Sequence, residues 1–286
     1  MNKGVVLFAH NSRQVDYALL AVIAGGLAKK NLNVPVSLIT DESTIEWMKV
    51  SQIYDTAYKV FDKLIEIKRP VSQNQRLMID AYTSKMVPFI NESRSLVWKY
   101  TPYERTLLID SDYLIFSDSL NEYWNVDKDV LISYTMNDVR GDRKGVLDEW
   151  VSETGIHMLW ATTVMFTKNK RSKLFFDLVE YVRVNYAYYA DLFRFNPYPY
   201  RNDIAFSVAN HILDRFESST TGHLPPVLTA SGRDVIFDVT EDSIKLLLND
   251  ELTEEKVTAV HLKNLNLHLM NKQSIIRNAD KFLGMI

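Results

Sequence analysis

Three apolar blocks in the first 40 residues restrict this chain more than any other feature. Residues 4–10 form a continuous apolar run that ends in His10, Asn11 and Ser12. Val15, Leu19, Ile23 and Leu27 then recur every four residues, which predicts a helix. Residues 34–40 form a second short run, stopped by Asp41. Strand, helix and strand at these lengths imply two parallel strands joined by a right-handed crossover. The expected class is therefore α/β, with a mixed, mostly parallel sheet flanked by helices. Gly25 and Gly26 are expected to weaken the last turns of the helix, and residues 31–33 to close it. No Gly-x-Gly-x-x-Gly follows the first strand, so the dinucleotide fingerprint is missing. The turn at residues 9–13 is left to hold a base or ribose through main-chain groups.

The sharpest local pattern lies at residues 103–116, Tyr-Glu-Arg-Thr-Leu-Leu-Ile-Asp-Ser-Asp-Tyr-Leu-Ile-Phe. A short β-like run, residues 106–109, ends in Asp110 and Asp112. Ligands of open α/β sheets bind beyond the carboxyl ends of the strands. In an extended chain, residues i and i+2 face the same way, so the two carboxylates point together. Like charges this close repel unless a cation lies between them. Hard oxygen ligands suit Mg²⁺ or Mn²⁺, with phosphate oxygens completing the shell.

The remainder reads as further α/β units. Residues 42–49 predict a short helix, residues 57–61 a strand, and residues 73–90 a helix with Leu77, Ala81, Lys85 and Phe89 in register. Pro88 should end or kink that helix. Residues 120–124 predict a short helix or loop, 129–134 and 157–167 strands, and the stretch from about Lys170 a long helix. Residues 137–148 read as a polar loop carrying Arg140, Asp142, Arg143 and Lys144. The aromatic segment 186–200 precedes Asn202, an expected N-cap, and a helix with Ile204, Val208, Ile212 and Phe216 buried. Residues 235–239 and 258–262 predict strands, and 275–286 a helix.

Composition excludes some functions. With 33 basic and 36 acidic residues the net charge is −3, so the basic surplus of a protein gripping bare nucleic acid is missing. With no cysteine, disulfides and thiolate metal sites are ruled out. No apolar run approaches the roughly 20 residues that span a bilayer. The expectation is a soluble, cytoplasmic protein. The 286 residues, 47% hydrophobic and without a sharp composition shift, read as one domain.

The strand–helix–strand opening followed by Pro-Tyr-Glu-Arg-Thr-Leu-Leu-Ile-Asp-Ser-Asp resembles the nucleotide-sugar glycosyltransferases of the GT-A fold. Within that fold it resembles the family 8-like branch and related bacterial and phage proteins. The likeness is densest at Lys85 and residues 102–116, and looser at 160–166, 202–213 and 260–264. It implies a nucleotide-binding half at about residues 1–125 and an acceptor-side half at about 126–286. It also implies transfer of a sugar from a nucleotide-sugar, with UDP the expected nucleotide, to a hydroxyl of a glycan, small molecule, protein or modified DNA base. By resemblance Asp110, Asp112 and His261 hold Mn²⁺ or Mg²⁺. Ala9 and Asn11 match the base-binding turn, Ser111 lies under the donor, and Arg76 and Lys85 match basic positions near it. Lys263 would replace the phosphate-binding lysine of a Gly-containing motif that this chain lacks. Whether His261 or His268 completes the metal shell stays open, and the other histidines read as structural or surface residues.

A carboxylate near the anomeric carbon would serve as base or partner. Asp203, at a helix start after the aromatic segment, is the candidate. Two rival readings stand beside this one. A sugar nucleotidyltransferase would also use carboxylates and Mg²⁺, but residues 10–24 contain neither the Gly nor the Lys of its usual basic loop. The other rival is a non-catalytic protein that keeps the fold for binding.

Overall fold

The chain opens on β1 (Lys3–Phe8), whose last five residues are buried. α1 (Tyr17–Leu32) returns the chain to β2 (Val36–Thr40), parallel to β1. α2 (Glu42–Val50) and α3 (Tyr54–Val60) lead to β3 (Lys63–Glu66), parallel to β2. β4 (Gln75–Ile79) and β5 (Ser84–Pro88) form a hairpin. The short α4 (Val97–Tyr100) precedes β6 (Arg105–Ile109), parallel to β1, and β7 (Tyr113–Leu114). β8 (Val130–Ser133), β9 (Met136–Asp138) and β10 (Trp160–Thr167) follow, and β10 runs antiparallel between β6 and β8. Three helices come next, α5 (Lys170–Val184), α6 (Tyr186–Phe193) and α7 (Asn202–Asp214). β11 (Thr221–His223), β12 (Val227–Ala230), β13 (Val235–Val239), β14 (Ser243–Asn249), β15 (Val257–Lys263) and β16 (Leu267–Leu269) precede the closing α8 (Lys272–Arg277) and α9 (Ala279–Leu283). This computed structural model describes residues 2–71, 74–81, 83–92, 94–141, 149–214, 221–249 and 257–286.

The central sheet has the order β11-β8-β10-β6-β1-β2-β3. Only the two pairings of β10 are antiparallel, so the sheet is mixed and mostly parallel, as expected. A second sheet, β7-β16-β12-β9, stands at its carboxyl edge, and β13-β14-β15 forms a third. Helices flank the central sheet. α7 lies on β10, where Phe166, Phe175, Phe176 and Phe206 pack edge to face. Burying each such ring contributes about 1.5–3 kcal/mol before the entropy of ordering it is subtracted.

α1 shows why a helix can be apolar all round. Ala18, Ala21, Val22, Ala24 and Ala28 belong to the core under the sheet. Leu20, Ile23 and Leu27 belong to a second core built with β12, β14, β16 and the closing helices. A helix sandwiched between two cores needs no polar stripe. The helix runs on through Gly25 and Gly26. They are contact points: a Cβ at Gly25 would stand 2.7 Å from the Phe61 ring, and one at Gly26 2.5 Å from Ile286. The helix continues to Leu32 and closes on Asn33 in the left-handed conformation.

Four expectations are corrected here. Residues 57–61 are not a strand. Ala57, Val60 and Phe61 are buried at helical spacing, and α3 occupies the segment. Residues 73–90 are not a helix: β4 and β5 pair across a turn in which Asp80 N–H donates to Thr83 O at 2.8 Å. A spacing of four is a multiple of two, so the register Leu77, Ala81, Lys85, Phe89 fits one face of a strand as well as a helix. Asn202 is the first residue of α7 and does not cap it with its side chain. Its amide donates to Asn91 O at 3.0 Å and its Oδ1 accepts from Tyr200 at 3.1 Å. The closing helix is two short ones, α8 and α9. Of the expected loop at 137–148, residues 142–148 lie outside the described residues.

Candidate active site

Leu7 of β1 pairs with Ile109 of β6, and Ile109 with Thr163 near the start of antiparallel β10. The ends of β1 and β6 and the beginning of β10 therefore share one edge. Beyond that edge lies a cavity of about 440 Å³. That size suits a small-molecule site. The hairpin β4–β5 forms one wall through Arg76, Met78 and Ile79, and Tyr200 to Asp203 form another.

The acidic pair lines this cavity, though not in an extended chain. Asp110 N–H donates to Thr162 O at 3.0 Å, and Tyr113 N–H donates back to Asp110 O at 3.1 Å, so Ser111 and Asp112 occupy a turn. β16 then pairs antiparallel with β7, which sets His268 opposite Tyr113. Leu269 N–H donates to Asp112 O at 3.0 Å. The result is that ligand atoms of Asp110, Asp112 and His268 lie within 4.8 Å of one another. Two carboxylates and an imidazole are a donor set that a divalent ion accepts.

Both carboxylates already face cations. Arg94 Nη1 pairs with Asp110, and Lys272 Nζ pairs with Asp112. His268 Nε2 stands 3.5 Å from the second oxygen of Asp112. Burial alone would push Asp112 up; Lys272 and His268 outweigh it and hold the carboxyl well below the usual range. Burial pushes Asp110 up, against the pull of Arg94 and with the charge of Asp112 adding to the rise. Arg94 is itself buried, and its Nε and Nη2 have no hydrogen-bond partner. Unsatisfied N–H groups on a buried guanidinium are costly to leave unpaired. Arg76 donates to the Tyr17 hydroxyl at 2.8 Å and lies 5.1 Å above the Phe89 ring. Asp203 Oδ1 accepts from Ala161 N–H at 2.9 Å, and Arg201 lies 3.6 Å from its Oδ2.

Of the residues proposed from sequence, Arg76, Asp110, Ser111, Asp112 and Asp203 line this cavity. The others do not. Ala9 donates to Ile39 O and its carbonyl accepts from Thr40. Asn11 is held by Thr44, Ala18 and Arg69. These main-chain groups serve the fold, so the expected base-binding turn presents His10 instead. Lys85, on β5, is exposed and does not line the cavity. Lys263 pairs with Asp242 at 3.2 Å on the surface. His261 sits on β15 opposite Lys245, inside the third sheet. Among the described residues β15 pairs only with β14; the chain reaches the cavity again at β16, which is why His268 arrives there and His261 does not. In the aromatic segment, Tyr186 and Tyr189 are core residues, while Pro199 and Tyr200 reach the cavity.

Sequence reading missed Arg94, Arg201, Lys272 and His10, and left His268 only as an alternative to His261. Leu-His-Leu is an apolar–polar–apolar alternation, but three residues are too short to signal a strand. His10 Nδ1–H donates to Asp41 Oδ2 at 2.7 Å, and its Nε2 is buried beside the cavity without a partner. Among the described residues no helix is long and apolar enough to cross a membrane.

No protein-family model matches the chain, and no curated protein does. Among solved structures it is similar to the glycosyltransferase GlyE of Streptococcus pneumoniae TIGR4, at 14% identity and a TM-score of 0.43, over 78% of this chain and 45% of that one. It thus spans under half the length of GlyE. It is also similar to the galactosyltransferase LgtC in complex with donor and acceptor sugar analogs, at 12% identity and a TM-score of 0.47, over 79% of this chain and 75% of that one. Mouse xyloside xylosyltransferase 1 is similar over 78% of this chain and 85% of its own, at 10% identity and a TM-score of 0.43. Likeness at this level leaves the function to be argued from the cavity itself.

Proposed function

We propose that the cavity binds a nucleotide-sugar, with UDP as the nucleotide, and that the protein is a metal-dependent GT-A glycosyltransferase transferring the sugar to an acceptor hydroxyl. One observation carries this reading: Asp110, Asp112 and His268 converge at one point of a cavity that Arg94, Lys272 and Arg76 also face. Carboxylates grouped with an imidazole suit a divalent cation, and the surrounding N–H donors suit phosphate oxygens. Neither group by itself points to a metal–diphosphate ligand; their meeting in one cavity supports that reading.

A Mn²⁺ or Mg²⁺ ion held by these three residues would supply Lewis-acid neutralisation of the departing diphosphate. The rest falls to the chain. Arg94 and Arg76 present fixed guanidinium donors to the donor's anionic end, and Lys272 adds an ammonium. His10, oriented by Asp41, meets the part of the donor that reaches the end of β1. Asp203 lines the cavity, held by Ala161 N–H through one oxygen and 3.6 Å from Arg201 through the other. It is placed to take the proton of the attacking hydroxyl or to stand beside the reacting sugar carbon.

A screen of nucleotide-sugars scored by released nucleotide tests the activity, and calorimetry with UDP, with and without Mn²⁺, tests the site. UDP binding that ignores Mn²⁺ would end the metal-dependent reading. Release of pyrophosphate from a nucleoside triphosphate would replace it with nucleotidyl transfer. For Asp203→Asn, nucleotide release with acceptor present should fall about 100-fold while UDP affinity stays within about twofold.

A further inference from the structure

Lys272 is tied to the proposed metal group and still able to leave it. Its ammonium bonds Asp112 Oδ2, and both side chains are buried. The backbone beneath it is held on every side. Asn271 is fully buried, accepts from Ser274 N–H at 3.0 Å and donates to Asp234 O at 2.9 Å. Lys272 N–H donates to Met270 O at 3.0 Å. What remains free to move is a flexible four-carbon stem ending in three rotatable donors. Arg94, the other cation of the pair, is different: a planar, fully buried guanidinium on Asp110.

An ammonium and a divalent ion bound to the same carboxylate repel strongly in a buried site. A divalent ion in the Asp110–Asp112–His268 group would therefore compete with Lys272 for Asp112. A buried ammonium that has lost its carboxylate is unstable until it meets another anion. Within the cavity, the diphosphate of the proposed donor is that anion.

We infer that Lys272 is a positioning residue that couples cation to donor: it exchanges Asp112 for the donor diphosphate when a divalent ion takes its place, so neither ligand binds tightly alone. The inference rests on the nucleotide-sugar reading above. Linkage requires that the donor raise cation affinity by the same factor as the cation raises donor affinity.

The experiment measures Mn²⁺ binding to the full chain by loss of the free-ion electron paramagnetic resonance signal, with and without UDP. Wild type is compared with Lys272→Met, Lys272→Gln and Lys263→Met, each checked for fold by circular dichroism. Without UDP, both Lys272 variants should bind Mn²⁺ at least about tenfold tighter than wild type, and UDP should then add less than it adds in wild type. Lys263→Met removes the same charge from the surface, away from the cavity, and should change Mn²⁺ affinity less than about threefold. Lys272 variants no tighter than wild type would overturn the coupling, as would an equal gain in Lys263→Met. Should neither Lys272 variant fold, wild type still decides it, because Mn²⁺ affinity that is the same with and without UDP is incompatible with the exchange. If wild type binds Mn²⁺ with UDP but Lys272 substitution changes nothing, only the coupling falls. If no protein binds Mn²⁺ under either condition, the metal-dependent function falls with it.

Discussion

β2 and β6 are both fully buried strands, and an aspartate follows each at the same edge of the sheet. Asp41, after β2, is consumed by the fold. It caps α2 by accepting from Thr44 N–H at 3.1 Å, and its oxygens also take His10, Ser43 and Arg69. Asp110 and Asp112, after β6, each pair with a buried cation, yet both line a cavity together with a histidine from a distant strand. A strand-end carboxylate is therefore not a site by itself. What separates the two is whether partners from elsewhere in the chain close over the carboxylate or leave a ligand-sized space beside it.

Substitutions should pull these clusters apart, the largest effect first. Asp112→Ala should abolish the Mn²⁺-dependent heat of UDP binding and lower nucleotide release at least about 100-fold. It also strands Lys272 and His268 in the interior, so urea unfolding should show about 3 kcal/mol of lost stability. An Asp112→Ala protein that still binds UDP in a metal-dependent way would place the site elsewhere. Next, His268→Ala should weaken Mn²⁺-dependent UDP binding about tenfold, while His261→Ala leaves it unchanged. Equal losses in calorimetry would contradict the separation of β15 from the cavity.

At the closed cluster the effect should be on stability. Burial alone would raise Asp41; hydrogen bonds from His10 and Ser43 and the charge of Arg69 outweigh it and hold the carboxyl far below its ordinary value. A depressed carboxyl stabilises the fold at pH values above the unfolded value near 4, and that contribution drains away as pH falls below it. Asp41→Asn should therefore lose about 2 kcal/mol at neutral pH. Its urea midpoint should also fall less steeply than that of wild type between pH 5 and 3. Parallel midpoint curves would show that Asp41 is not the group responsible. The smallest change is expected from Arg69→Met, under about 1 kcal/mol in the same assay, because this partner of Asp41 is a third exposed.

The same contrast explains how far the sequence could be read. β1, β2, β6 and β10 were legible because each is a continuous, mostly apolar run, and α1 because its four-residue repeat holds from Val15 to Leu27. The hairpin at 75–88 was not, since a four-residue spacing satisfies both periods, and α3 was mistaken for a strand over a segment of only seven residues. Within the candidate site, Asp110 and Asp112 stood out because a buried strand stops at them. Arg94 and Lys272 did not, being single basic residues in segments with no repeat.

The amino-acid order alone determined the α/β class and the place where a buried strand ends in paired carboxylates, because both follow from contacts between near neighbours in the chain. Which histidine and which cations meet those carboxylates was decided only when β16 paired with β7 and α8 closed behind it. Such pairing depends on the whole fold: β15 and β16 lie a few residues apart, yet one joins the outer sheet and the other the cavity.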